Sequence, residues 1–183
     1  MNAGISSNPL VDIGGLVPLS TTDYPGGHLA AVLFLQGCPW RCGYCHNPAL
    51  QPRRLGQTLR WAEVERFLDK RVGLLDAVVI SGGEPTVHAG LGCLIDRIRA
   101  KGFGVGLHTA GIYPRRLGEV LPRVDWVGFD VKARFDDYAR VIGYLAKSNL
   151  VKSTQPKQAR GDGMLVKLSL ATDLKHFLDA VAM

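Results

Sequence analysis

The chain lacks any apolar run long enough to cross a bilayer. Its longest, such as Leu29–Leu35 and Ala77–Ile80, fall far short of the roughly 20 residues that a membrane helix needs. Its first residues, Met-Asn-Ala-Gly-Ile-Ser-Ser-Asn-Pro, carry neither the basic segment nor the apolar stretch of a secretory signal, so a cytoplasmic location is expected. Cysteine is scarce, with four in 183 residues, and in a reducing compartment a disulfide framework is not expected. Charge of one sign is never concentrated. The 22 Lys and Arg against 16 Asp and Glu leave a net +6 that is scattered along the chain, so neither nucleic acid nor a membrane is an expected partner. What is present is apolar material: 46% hydrophobic residues and a mean hydropathy of +0.07 exclude disorder throughout and suit one domain with a buried core.

The first nine residues read as a flexible leader, and Val11–Pro25 holds short apolar pieces broken by Gly14-Gly15, Pro18 and Pro25, as in a hairpin or a loop. From there β-like runs alternate with helix-like stretches. Strands are expected at Ala30–Leu35, Ala77–Ser81, Gly104–Thr109 and Trp126–Val131. Helices are expected at Trp61–Val72, Leu91–Ala100, Arg115–Leu121 and Asp136–Ile142. The strands are nearly continuous apolar runs, as in a parallel sheet covered on both faces. In the first helix Trp61, Val64, Phe67, Leu68 and Val72 share one face, while Glu63, Glu65, Arg66, Asp69 and Lys70 take the other. A complete eight-unit barrel takes about 250 residues, so the expected fold is α/β, an incomplete barrel or an open, strongly curved sheet. Residues 10–143 form the expected core and 144–183 a divergent tail, with one amphipathic stretch over Met164–Ala182 that suits a helix.

Three of the four cysteines crowd into the segment Gly37-Cys38-Pro39-Trp40-Arg41-Cys42-Gly43-Tyr44-Cys45-His46-Asn47-Pro48, directly after the first expected parallel strand. A loop with this C-x3-C-x2-C spacing can curl three sulfurs onto one centre. Structural zinc prefers four ligands, and His46 lies too close in sequence to Cys45 to complete that shell comfortably. Three thiolates on a [4Fe–4S] cluster would instead leave one iron open to a substrate. The fourth cysteine, Cys93, sits in Leu91-Gly92-Cys93-Leu94-Ile95 and reads as helix core.

At these residues the sequence resembles the radical S-adenosylmethionine (SAM) superfamily, whose cysteine loop carries an aromatic before the last Cys, here Tyr44. Two further similarities follow in order. Ser81-Gly82-Gly83-Glu84-Pro85 resembles the family's GGE segment, and Asp130-Val131-Lys132 the D-x-K of activating enzymes. The segments Ser20–Gly26, Leu107–Gly111 and Phe129–Ala133 resemble the activating proteins of anaerobic ribonucleoside-triphosphate reductases, and the likeness spans about Leu10 to Gly143.

The resemblance implies a partial βα barrel with outer helices and missing or divergent C-terminal units. It implies that Cys38, Cys42 and Cys45 hold a [4Fe–4S] cluster and that SAM chelates the open iron. Gly83 would offer its backbone to the methionyl amino group, with Gly82 and Glu84 beside it. Lys132 would position the methionyl carboxylate, and Asp130 would do so through a monovalent cation. Tyr44 and His46 would contact the adenine or the cluster's surroundings, and Thr109 would reach the ligand. Related enzymes often read Asp-Thr-Asn-Gly where this chain has His108-Thr109-Ala110-Gly111, so a cation site using that Asp is not carried over.

The implied activity is reductive cleavage of SAM and formation of a glycyl radical on a partner enzyme, anaerobic ribonucleotide reductase first among them. A flavodoxin- or ferredoxin-type donor would supply the electron. The alternatives are a radical enzyme acting on a small molecule, a truncated inactive relative, and a zinc-stabilised interaction module.

Overall fold

A computed structural model of the chain describes residues 11–53, 59–132 and 164–168. They form one six-stranded sheet in sequence order: β1 (Ile13–Ser20), β2 (Ala30–Leu35), β3 (Ala77–Gly82), β4 (Gly104–Thr109), β5 (Trp126–Val131) and β6 (Met164–Leu168). The four central strands are parallel, while β1 and β6 run antiparallel at the two edges. Three helices, α1 (Trp61–Asp69), α2 (Leu91–Arg99) and α3 (Pro114–Val120), connect the parallel strands.

All four parallel strands feed one core under the helices, and β2 and β3 also line a second core on the opposite face. Leu33, Leu35, Val78, Ile80, Val105, Leu107, Val127 and Phe129 pack under the helices, against Trp61, Val64 and Leu68 of α1, Leu94 and Ile98 of α2, and Leu117 of α3. The opposite face is smaller, with Ala30, Val32, Ala77 and Val79 meeting Tyr24 and Phe34. Glycine makes that face possible at β4. A Cβ on Gly106 would lie 3.1 Å from the Tyr24 ring and 3.3 Å from Trp126, so only a bare backbone lets these aromatics lie on the strand.

The expected bounds of β2, β4 and β5 match the structure, and the piece over Val11–Pro25 is a hairpin strand paired with β2. Three expectations change. Helix α1 stops at Asp69, not Val72. The chain turns through Gly73 at φ +77°, which leaves Val72 56% exposed instead of on the packed face. Cys93 is half-exposed, because the packed stripe of α2 is Leu91, Leu94, Ile95 and Ile98. Met164–Leu168, the start of the stretch read as amphipathic helix, is a strand paired with β5. Backbone pairing at an otherwise unsatisfied sheet edge outweighs the local apolar period there. The leader, the expected helix Asp136–Ile142, the domain limits near 143 and the remainder of the tail lie outside the described residues.

Candidate active site

Parallel pairing in register, Leu35 beside Gly82 and Thr109 beside Phe129, brings the carboxyl ends of β2 to β5 to one rim. The loops that leave this rim carry the chemistry, as open α/β sheets dictate. Cys38, Cys42 and Cys45 leave β2, Gly83 and Glu84 follow β3, Thr109 and Ala110 end β4, and Asp130 and Lys132 end β5. All of these border one cavity of about 300 Å³, together with Tyr44, His46, Gly82 and His108. That volume is at the small end of ligand sites. A second cavity of about 350 Å³ lies under the Thr21–Gly27 loop and shares His108 with the first.

The cysteine loop is pinned at its base. Gly37 N donates to Leu50 O at 2.7 Å and Cys38 N to Gln51 O at 2.9 Å. Within the loop, Cys45 N donates to Cys42 O at 3.1 Å, and the Arg41 guanidinium holds Cys38 O at 3.0 Å. All three thiols are half-exposed and unbridged. Burial pushes the Cys38 thiol up to about 11, and burial likewise raises Cys42, against a lowering pull from Lys132. Both shifts favour the protonated thiol at Cys38 and Cys42 when no metal is bound. A cationic centre is what would draw off their protons.

Across the mouth, Tyr44 Oη donates to Lys132 O at 3.3 Å, and the Lys132 ammonium lies 5.7 Å from the Tyr44 ring centroid. Lys132 is ion-paired with Asp130. The two side chains that the D-x-K similarity singles out therefore face the same cavity, with the tyrosine of the cysteine loop over them. His46 borders the cavity and is exposed.

The glycine segment is required for a reason the sequence does not display. Gly82 has φ +126°, and a Cβ on it would strike the backbone of Leu35. One on Gly83 would strike Gly37 O and lie 2.8 Å from Leu50 O. The absent side chains make room for the protein's own cysteine loop, not for a ligand alone. Gly83 N donates to Leu35 O and Glu84 N to Gly37 O, both at 2.9 Å, so this segment and the cysteine loop form one body.

Glu84 turns inward and is 1% exposed. Its carboxylate accepts from Thr86 N at 3.1 Å, from the Thr86 hydroxyl, from Thr109 Oγ1 at 2.5 Å and from Ala110 N at 2.9 Å. Burial raises its pKa, while hydrogen bonds from Thr109, Thr86 and Ala110 pull the other way. Thr109 is committed as well, since its hydroxyl also accepts from Gly111 N at 3.0 Å. Glu84 and Thr109, expected at the ligand, thus tie the end of β3 to the end of β4. His108, which the motif reading passed over, borders both cavities. Burial lowers its pKa, and its Nε2 is buried without a hydrogen-bond partner among the described residues.

A scan against family profiles matches residues 32–152 to the Radical SAM superfamily. The chain belongs to the radical SAM superfamily. A Methanocaldococcus jannaschii protein named as a glycyl-radical enzyme activating enzyme is 40% identical over 134 residues, covering 71% of this chain and 54% of its own length. The pyruvate formate-lyase-activating enzyme of Clostridium pasteurianum is 31% identical over 137 residues, covering 71% of this chain and 56% of itself. The crystal structure of QueE from Escherichia coli shares the fold, with a TM-score of 0.50 at 19% identity over 75% of this chain and 78% of that one. The chain spans about half the length of these two curated relatives.

Radical SAM proteins carry a [4Fe–4S] cluster and SAM, and the donor set here fits them. Three soft sulfur donors border a single cavity that Asp130 and Lys132 also line. Among the described residues no three donor side chains focus on a point suited to one metal ion.

Proposed function

We propose that this chain is the core of a glycyl-radical enzyme activase, with anaerobic ribonucleotide reductase the first candidate partner and a flavodoxin- or ferredoxin-type protein the electron donor. One observation carries the reading: the three thiols, the Asp130–Lys132 pair and the glycine segment border a single cavity at one rim of the sheet. The names of the two curated relatives support the activase class. The resemblance of the Ser20–Gly26, Leu107–Gly111 and Phe129–Ala133 segments supports the reductase as partner.

In this reading Cys38, Cys42 and Cys45 would hold the cluster, with SAM bound beside it. When bound, the cluster and SAM would supply reductive cleavage of the sulfonium, using one electron from the flavodoxin- or ferredoxin-type donor. The rest is orientation. The Gly83 N–H is engaged by Leu35, so what Gly83 presents to an incoming ammonium is its carbonyl. Lys132 exchanges Asp130 for the methionyl carboxylate, a charge-assisted contact of the stronger kind. Asp130 stays beside it, with a monovalent cation as the further option. Tyr44 and His46 flank the adenine side. Glu84 and Thr109 act from behind, by fixing the rim.

Anaerobic incubation of the reduced protein with SAM and a candidate reductase, followed by EPR, tests the whole reading. A glycyl radical on the reductase together with methionine and 5′-deoxyadenosine supports it. Cleavage of SAM without a radical on any candidate protein favours a small-molecule substrate. Cluster without cleavage marks an inactive relative, and a colourless protein holding one zinc would replace the reading altogether.

A further inference from the structure

Directly before the cysteine loop lies Gln36, 1% exposed and assigned no role above. It hydrogen-bonds to three separate segments. Its N–H donates to Asp12 O at 2.7 Å, beside the start of β1. Its carbonyl accepts from Nε2 of the buried His88 at 2.8 Å, beyond the Gly83-Glu84 segment. Its side-chain amide donates both hydrogens forward, to Ala49 O at 2.9 Å and Pro52 O at 2.6 Å. Those two carbonyls flank Leu50 and Gln51, the residues that receive Gly37 N and Cys38 N. The amide fork therefore grips the far end of the same loop whose near end begins one residue after Gln36.

A fork of this kind needs two donors on one planar group at the end of a flexible stem of two methylenes, which among uncharged side chains only Gln provides at this reach. A carbonyl pair left without donors in a buried site is costly. We infer that Gln36 is a positioning residue for the iron–sulfur centre: by clamping both ends of the cysteine loop it sets the spacing of the three thiols before metal arrives. The inference rests on the cluster reading above but goes beyond it, because it concerns how the loop is held rather than what the loop binds.

The test uses the whole chain, reconstituted anaerobically, with Gln36→Glu, which keeps the shape and removes the donors, and Gln36→Leu, which removes both. In the metal-free wild type, amide hydrogen exchange at Gly37 and Cys38 should be strongly protected, because the loop base is already closed. After reconstitution both variants should lose iron to a chelator roughly tenfold faster, the equivalent of about one lost hydrogen bond to a charged or buried group. They should also show a shifted EPR g-pattern and midpoint potential of the reduced cluster. Unprotected Gly37 and Cys38 amides in the wild type overturn the inference even if neither variant folds. So do variants with wild-type g-values and potential. A wild type that assembles no cluster, yet shows protected amides, would remove the activase reading while leaving the clamp itself in place.

Discussion

Thr109 Oγ1 donates to Glu84 Oε1 at 2.5 Å across 25 residues of sequence, and the same carboxylate receives Ala110 N at 2.9 Å. The ends of β3 and β4 are thereby locked together beneath the candidate site. Replacing Glu84 by Ala strands two N–H groups and two hydroxyls in a buried place. The expected loss is about 3 kcal/mol, read from urea unfolding of the metal-free protein, with a smaller loss for Glu84→Gln. A loss below about 1 kcal/mol would show that this carboxylate does not secure the rim.

Stability should fall on mild acidification. Burial holds the folded-state pKa of His88 below its ordinary value of 6.5, and burial lowers His108 in the same direction. The unfolded chain takes up these protons first, so stability is full above about pH 6.5 and declines as the pH drops toward the folded-state values. Urea unfolding at pH 7.5 and 5.5 should show the decline, and His88→Asn should lessen it. An equal slope in that variant would assign the effect elsewhere.

A methyl group at Gly83 has no space, since it meets Gly37 O and lies 2.8 Å from Leu50 O. Gly83→Ala should lower stability by about 2 kcal/mol and reduce iron incorporation together, because the obstacle is backbone of the cysteine loop. Normal iron content in a destabilised variant would separate the two effects.

The four cysteines should divide three to one. Cys42→Ala should leave the anaerobically reconstituted protein without its brown colour, whereas Cys93→Ala, on the half-exposed side of α2, should keep full absorbance and iron. Loss of the cluster in Cys93→Ala would demand a different ligand set.

Lys132→Met should retain the cluster but bind SAM about tenfold more weakly, the scale of one charge-assisted hydrogen bond, as measured by equilibrium dialysis under anaerobic conditions. Unchanged affinity would remove Lys132 from the ligand's carboxylate.

Much of this was legible in the chain itself. The strands β2 to β5 announce themselves as short, doubly apolar runs, and Cys38, Cys42 and Cys45 by a spacing that few other functions need. What could not be read were contacts between residues far apart in sequence. Glu84 looks like a ligand residue in its motif, yet two of its four hydrogen bonds, from Thr109 and Ala110, arrive with the end of β4. Gly83 reads as a backbone contact for the ligand with Gly82 beside it, and only the fold shows that a Cβ on either would strike the backbone of Leu35, Gly37 or Leu50. Gln36 carries no motif, and only the return of the chain at Ala49 and Pro52 gives it a purpose. The strand at Met164–Leu168 depends on a vacant edge at β5, which no local period can signal.

The contact between Tyr44 and Lys132 joins positions 88 residues apart, with three βα connections between them. During synthesis the sulfur donors leave the ribosome long before the lysine that also lines the cavity. In the proposed reading, a pocket able to take both cluster and SAM is therefore complete only once β5 has formed. A nascent chain stalled before that strand would offer its cysteines as bare, oxidisable ligands.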